Sequence, residues 1–546
     1  MKSTNLVKIG AIFFFIGFIL ILISWIFTYP IYLSGINEIT FTQFYPVLWP
    51  GVVISLLSLF VILYYCKNKI IGALCCSLFP LFLYIPAFFF SYIPSSDCGN
   101  VRGMFQIFHK TGINSQLVSY FEFPNYFSLN EIIHQVVGFN EKNIALFSFV
   151  VYGVLLGLFL YLFFSNLKKE QYIQLIPFLL VFIYFIGMFS FLNYQWVPQT
   201  LALVYFFLLI FISTYMLSAS IKIEFKFIFI LLFIPFIFTH AFLPLIYLIF
   251  FSILTIKRRY LFQILLVIAS LYIIVTIYYT AVHLNLYIIT LQQSLRGFGR
   301  EYAYRVLTSF GETNNLIDDI ISFSNRIIVP MVWIIASIGT LILFLKKKIN
   351  YLLISLGLAG FVYISVGIFY SILGLRAAQL LFIPLTVGFM FFISKWEKPT
   401  IAIVIIILIL AVFGPMRIAY NHTQFQTDEE ANACDFLVNK IKNETIPSVG
   451  IGQVNWGYFS SKYKYFNNTR LSEFAVRPGS SGFLDIFNYS LNRNDYIFYN
   501  SNLGKEIIVY LMTKEDLMER LEIITKNNNK MYNSGTTYIL NGIKII

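Results

Sequence analysis

Apolar runs long enough to cross a lipid bilayer follow one another from residue 7 to residue 418, with only short polar breaks between most of them. A helix rises about 1.5 Å per residue, so roughly 20 apolar residues cover the hydrocarbon core. Eleven runs meet or approach that length, near 7–27, 47–65, 70–93, 143–166, 172–191, 197–217, 260–281, 327–345, 351–372, 377–394 and 400–418. A further stretch, 227–254, is 28 residues long and holds Pro235, His240 and Pro244, so it reads either as one tilted span or as two short helices. The chain is therefore predicted to be a polytopic α-helical membrane protein of about 11–13 transmembrane helices. Its 59% hydrophobic content, 12% charged content and mean hydropathy of +0.78 exclude an ordinary soluble globular domain. Lys2 and Lys8 precede the first run, but that run is long and no small-residue cleavage site follows it, so it is expected to remain as an anchor.

Because charges are scarce, their placement carries the topology. Lysine and arginine favour the cytoplasmic side of short loops. With the N-terminus inside and 227–254 read as two short helices, sixteen Lys and Arg fall inside and eight outside, setting Arg417 aside. Reading the stretch as one span inverts the later loops and leaves thirteen against eleven. The paired reading is preferred, with each half only about 20 Å long. It puts the long loops 94–142 and 282–326, and the segment after residue 418, on the extracytoplasmic side.

The formal charge of +13 does not point to nucleic acid, because it lies wholly in the membrane part. Residues 1–418 carry 25 Lys and Arg against 12 Asp and Glu, while 419–546 carry 13 of each. The basicity is topology signal on inner loops, with attraction to membrane lipid headgroups.

Residues 419–546 are predicted to form an extracytoplasmic soluble α/β domain. A helix is expected near 428–442, strands near 448–453 and 495–499, a charged helix near 514–526 and a hairpin-like end, NKMYNSGTTYILNG. Four Asn-x-Ser/Thr triplets, at Asn421, Asn443, Asn467 and Asn488, all fall in this tail, in keeping with an outer location. Gly450, Gly452 and Gly457 lack the spacing and following helix of a phosphate cradle. Five cysteines without paired spacing give neither a disulfide framework nor a zinc site; Cys98 and Cys434 are the two expected outside, which leaves a bridge between them as an alternative.

Chemistry is then sought on the outer face. In the first loop Val101, Met104, Phe105 and Phe108 recur at helical spacing with Arg102, Gln106, His109 and Lys110 elsewhere; Leu129, Ile132, Ile133, Val136 and Val137 repeat the pattern beside Asn130, Glu131, His134 and Gln135. Two amphipathic helices lying in the membrane interface are predicted.

Asp97 directly after a span, then an interfacial helix, the stretch FEFPNYF, a second amphipathic helix and Gly138 before the next span resemble the first external loop of GT-C glycosyltransferases. NYQWVPQTLAL (193–203), FTHAFLPL (238–245) and GLRAAQLLFIPL (374–385) resemble segments of prokaryotic, notably archaeal, members. Two features depart from that pattern: two spans precede the first helix of the family core, and the acidic motif is Asp97 alone. The resemblance implies a sugar donor on a polyprenyl phosphate, an extracytoplasmic acceptor (glycan, lipid or protein), and direct displacement with a general base at the membrane surface.

Under that reading Asp97 is the catalytic base; read without it, Asp97 caps the helix that follows. Arg376 would bind the lipid phosphate, which arginine grips bidentately, or else anchor to headgroups. Arg296 and Arg300 share a helical face and would bind the same phosphate or headgroups, with Arg305 nearby. His240 would hydrogen-bond donor or phosphate, or satisfy a partner between helices. Glu122, with His109 and His134, would assist the acceptor, their spacing along the chain matching no metal site. No cofactor is required by this scheme. The competing class is a lipid-linked glycan flippase or other transporter, though no internal repeat or line of buried charges is visible; a catalytically dead relative that scaffolds an envelope complex is the third reading.

Overall fold

A computed structural model of the 546-residue chain describes residues 3–29, 44–84, 88–89, 93–94, 98–112, 123–167, 174–188, 198–217, 223–240, 243–277, 316–367, 371–393, 405 and 409, with the strand residues 425–426, 448–451, 475–476, 496–500, 529–533 and 537–541. The described residues up to 393 are almost wholly helical. The helices are α1 (Ser3–Thr28), α2 (Leu48–Tyr65), α3 (Lys69–Tyr84), α4 (Cys98–Thr111), α5 (Asn125–Val137), α6 (Glu141–Leu167), α7 (Leu175–Met188) and α8 (Pro198–Met216). They continue with α9 (Ile223–Ile237), α10 (Leu243–Lys257), α11 (Arg259–Ile277), α12 (Leu316–Leu345), α13 (Tyr351–Gly367) and α14 (Ser371–Ile393). Among the described residues five helices are long and apolar enough to cross a membrane (in α1, α2, α6, α8 and α11), and six more apolar helices are shorter.

The apolar content that generates these helices is not all turned inward. Helix α1 leaves Phe13, Phe15, Ile26 and Phe27 exposed, and α11 leaves Ile273, Ile274 and Ile277 exposed. Contiguous apolar surface on this scale is costly in water and is what a lipid-facing helix presents. The inner faces are aromatic: Phe60 of α2, Phe79 of α3 and Phe178, Phe182 and Phe185 of α7 pack ring to ring at centroid distances of 4.6–6.0 Å. With no hydrophobic gain between helices in lipid, such van der Waals fit carries the association. Small residues permit the closest crossings. A Cβ at Gly157 of α6 would strike the Cys76 carbonyl of α3, and one at Gly339 of α12 would strike the Gly388 carbonyl of α14.

The contacts fix the direction of each helix. Gly10 meets Ile62 and Gly17 meets Ser55, so α1 and α2 are antiparallel; Gly72 meets Tyr161 and Gly157 meets Cys76, so α3 and α6 are too. Phe229 stacks near Phe251 and Phe233 near Tyr247, which makes α9 and α10 an antiparallel hairpin with residues 238–240 at its tip. The stretch 227–254 is thus two short helices, at about 22 Å apiece for 15 residues. Pro235 lacks the amide donor of a helix interior, and the chain turns three residues later.

These directions sort the chain's turns into two poles. At one, Gln174 donates its backbone N–H to the Cys66 carbonyl, Tyr161 bonds to Gln174 and the Lys69 carbonyl, and Asn166 bonds to Thr214. Tyr260 donates to the Met216 carbonyl and Tyr351 to that of Ile253 at this same pole, where Lys257 lies 4.9 Å over the Tyr351 ring. Lys67, Lys69, Arg258, Arg259, Lys346, Lys347 and Lys348 border these contacts. At the opposite pole lie α4, α5 and the tip of the α9–α10 hairpin.

Two expected boundaries move. Helix α12 begins at Leu316, eleven residues before the predicted span, so the loop predicted over 282–326 ends as helix carrying Asp318 and Asp319. Helix α3 (Lys69–Tyr84) falls short of residue 93, which is strand, and Pro80 within it weakens the helical ladder.

In the tail, β2 (Phe425–Gln426) pairs antiparallel with β1 (Ile93–Pro94). Strands β3 (Ser448–Ile451), β4 (Ala475–Val476), β5 (Tyr496–Asn500), β6 (Asn529–Asn533) and β7 (Thr537–Asn541) form one sheet ordered β4-β3-β5-β7-β6. Its β4-β3-β5 part is parallel and its β5-β7-β6 part antiparallel. The helices expected at 428–442 and 514–526, the span at 400–418 apart from residues 405 and 409, and Cys434 lie outside the described residues.

Candidate functional site

The candidate site is the pole opposite the lysine-rich turns, where α4 and α5 cover the bundle. Both helices are amphipathic as expected. Val101, Phe105, Ile107 and Phe108 of α4 and Tyr126, Phe127 and Asn130 of α5 are buried, while His109 and Lys110 of α4 and Gln135 of α5 are exposed. Phe108 stacks on Phe127 with centroids 5.8 Å apart, and Asn130 returns its Nδ2–H to the Tyr126 carbonyl at 2.9 Å, so the buried amide is satisfied.

Each helix is fastened to the bundle by a polar group placed at a helix end. Arg102 Nε donates to Glu141 Oε2 at 2.7 Å and Gln106 Nε2 to Glu141 Oε1 at 2.6 Å, occupying both carboxylate oxygens. Glu141 is the first residue of α6, where its negative charge also complements the helix dipole. The N-terminus of α5 is held by Asn125. Its backbone N–H donates to the Phe238 carbonyl, and its Nδ2 lies 2.7 Å from Thr239 Oγ1 and 3.3 Å from the Pro235 carbonyl. Gly138, at φ 73°, ends α5 in the left-handed conformation and bonds its N–H to the His134 carbonyl.

Between the two helices sits a polar cluster. His109 Nδ1 lies 2.9 Å from Glu131 Oε1, Gln135 Nε2 donates to that same oxygen at 2.7 Å, and His134 Nδ1 lies 2.6 Å from the Phe139 carbonyl. The two imidazoles meet edge to face with centroids 4.9 Å apart. His109 is the open member of the group, its side chain 47% exposed. Among the described residues no group of three or more His, Cys, Asp or Glu gathers to hold a metal ion.

Besides His109 and His134, His240 is the residue singled out from sequence for the site whose side chain is described. It is buried at the tip of the α9–α10 hairpin, and its Nδ1 accepts the Leu243 N–H at 3.4 Å, which makes it a cap for the first turn of α10. Asn125 grips residues 238 and 239 beside it, so His240 stands at the same pole as the first loop. Arg376 belongs to α14, but its side chain lies outside the described residues. Asp97, Glu122, Arg296 and Arg300 lie outside them as well; Asp97 falls between Pro94 of β1 and Cys98, the first residue of α4.

The anchors Asn125 and Glu141 escaped the sequence reading. Glu141 carries the ordinary signal of an acid in a helix first turn. Asn125 carries none, since its side-chain partners Tyr205, Pro235 and Thr239 are 80, 110 and 114 residues away along the chain. No protein-family model matches this chain, and no curated protein matches it either.

Proposed function

We propose that this chain is a multi-pass membrane glycosyltransferase of GT-C type, moving a sugar from a polyprenyl-phosphate-linked donor to an extracytoplasmic acceptor. Its N-terminus is cytoplasmic and the tail extracytoplasmic. The observation that carries the reading is the separation of poles. Lys67, Lys69, Lys257, Arg258, Arg259 and Lys346–Lys348 gather at one end of the bundle, the pattern of a cytoplasmic face. The two interfacial helices of the first loop cover the other end, where a flipped lipid-linked donor would arrive.

The pairing of Ile93–Pro94 with Phe425–Gln426 supports placing the tail beside the residue assigned as base. Parallel pairing of β3 with both β4 and β5 needs crossover connections, and the intervals 452–474 and 477–495 have room for them, in keeping with an α/β tail. In the reaction the acceptor hydroxyl attacks the anomeric carbon, the bond from that carbon to the phosphate oxygen breaks, and polyprenyl phosphate leaves. Asp97 takes the hydroxyl proton. Arg376, with Arg296 and Arg300, binds the departing phosphate, while His240 and Glu122 line the donor and acceptor sides.

The test uses purified protein in lipid nanodiscs with radiolabelled polyprenyl-phosphate hexoses and membrane extract as acceptor, scored by release of polyprenyl phosphate. Wild type turns the donor over; Asp97→Asn inserts normally and loses activity by at least a hundredfold. Full activity of Asp97→Asn, or lipid translocation without bond cleavage by wild type, contradicts the proposal.

A further inference from the structure

We infer that the turns Lys257–Arg259 and Lys346–Lys348 form one binding site for an anionic phospholipid in the leaflet at the lysine-rich pole. Two contacts between helices bring the turns together. Lys257 Nζ lies 4.9 Å over the Tyr351 ring, and the Tyr351 hydroxyl donates to the Ile253 carbonyl at 2.8 Å, so the first residue of α13 is locked to the end of α10. Lys348 stands three residues before Tyr351, a stretch of chain that spans at most about 11 Å. Six cations from two separate loops therefore gather around one aromatic ring, and all but the half-buried Arg258 are exposed.

Acids do not balance them. Among the described residues Glu224, in the first turn of α9, is the one acid at this pole, and the ion pairs Arg102–Glu141 and His109–Glu131 lie at the other. Crowded like charges repel, and a phosphate shared among them relieves the repulsion. Lys347 adds an independent observation. It sits at φ 53°, the left-handed conformation that glycine adopts freely and lysine adopts at a cost. Lys347 N–H bonds to the Phe344 carbonyl and Lys348 N–H to the Leu343 carbonyl, which makes this the helix-ending position where glycine is usual. A cation stands there against the backbone preference.

The surface beside the cations points to a lipid and not to a soluble phosphate. Ile256, immediately before Lys257, is 76% exposed, and Leu345, immediately before Lys346, is 71% exposed. At both helix ends the surface changes from lipid-facing apolar to cationic within one residue, which sets the cations at headgroup depth above the acyl chains.

The experiment titrates full-length protein in detergent with phosphatidylglycerol and with phosphatidylcholine of the same acyl chains, counting bound lipid by native mass spectrometry. Phosphatidylglycerol is expected to bind about tenfold more tightly or better, and Arg258→Gln and Lys347→Gly each cut that preference about fivefold. Lys347→Gly does so without lowering the thermal unfolding midpoint in lipid-free detergent, because glycine accepts the left-handed backbone. Lys69→Gln, on the α2–α3 turn of the same pole, leaves the preference unchanged, and millimolar inorganic phosphate does not displace the lipid. Equal affinity for the two lipids, an unchanged preference in both Arg258→Gln and Lys347→Gly, an equal loss in Lys69→Gln, or displacement by inorganic phosphate overturns the assignment.

Discussion

Asn125 Nδ2 lies 2.7 Å from Thr239 Oγ1, which joins the first turn of α5 to the tip of a helical hairpin 114 residues further along the chain. Thr239 Oγ1 in turn donates to the Pro235 carbonyl at 2.6 Å. The amide thereby fixes the height at which α5 sits over the bundle and holds His240 beside it.

Removing that amide is expected to loosen the pole without unfolding the spans. Asn125→Ala leaves Thr239 and the Pro235 carbonyl with fewer partners in a half-buried setting, at a cost of about 1–3 kcal/mol. Limited proteolysis in detergent micelles checks this: cleavage between α4 and α6 accelerates while the core helices stay intact. Unchanged protection would mean that the amide does not hold α5.

The Arg102–Glu141 pair is predicted to couple more strongly than a surface ion pair. The two side chains are 18% and 21% exposed, and Gln106 takes the second carboxylate oxygen. A double-mutant cycle with Arg102→Met and Glu141→Gln is expected to show coupling of about 1–3 kcal/mol that persists at high salt. Coupling below about 0.5 kcal/mol would class the pair with exposed ones.

Packing of α12 against α14 rests on backbone contact. A side chain at Gly388 would run into Thr340 and the Ala336 carbonyl. Gly388→Val should therefore separate the two helices and cost more than about 3 kcal/mol, read as loss of the monodisperse peak in size exclusion. Gly357→Ala, where the nearest atom is Pro384 Cγ at 3.6 Å, is expected to be tolerated and serves as the control.

Hydropathy made the helices legible, and charge made the hairpin legible. Pro235 and Pro244 flagged the stretch 227–254, but only the lysine count favoured two helices over one, and the ring pairing of Phe229 with Phe251 shows them folded back. The first loop was legible because Phe105, Phe108, Ile132 and Ile133 keep helical spacing. The start of α12 was not: Asp318 and Asp319 break the apolar pattern although the backbone is already helical. Contacts across helices were illegible for a plainer reason. Spacing along the chain set His109 and His134 far apart, and only the packing of α4 on α5 brings their rings within 4.9 Å. For His240 the structure shows Nδ1 accepting the Leu243 N–H at the start of α10, a contact that spacing along the chain did not show.

The opposed poles are the premise on which a flipped, lipid-borne donor depends, and accessibility of single cysteines in sealed vesicles of known orientation measures it directly. In a background with the five native cysteines replaced by serine, Lys347→Cys marks the lysine-rich turn and Gln135→Cys marks α5. A membrane-impermeant maleimide added from the extracytoplasmic side is predicted to label position 135 and spare position 347 until the vesicles are opened. Labelling of both positions from one side, or of 347 alone from outside, would contradict the account.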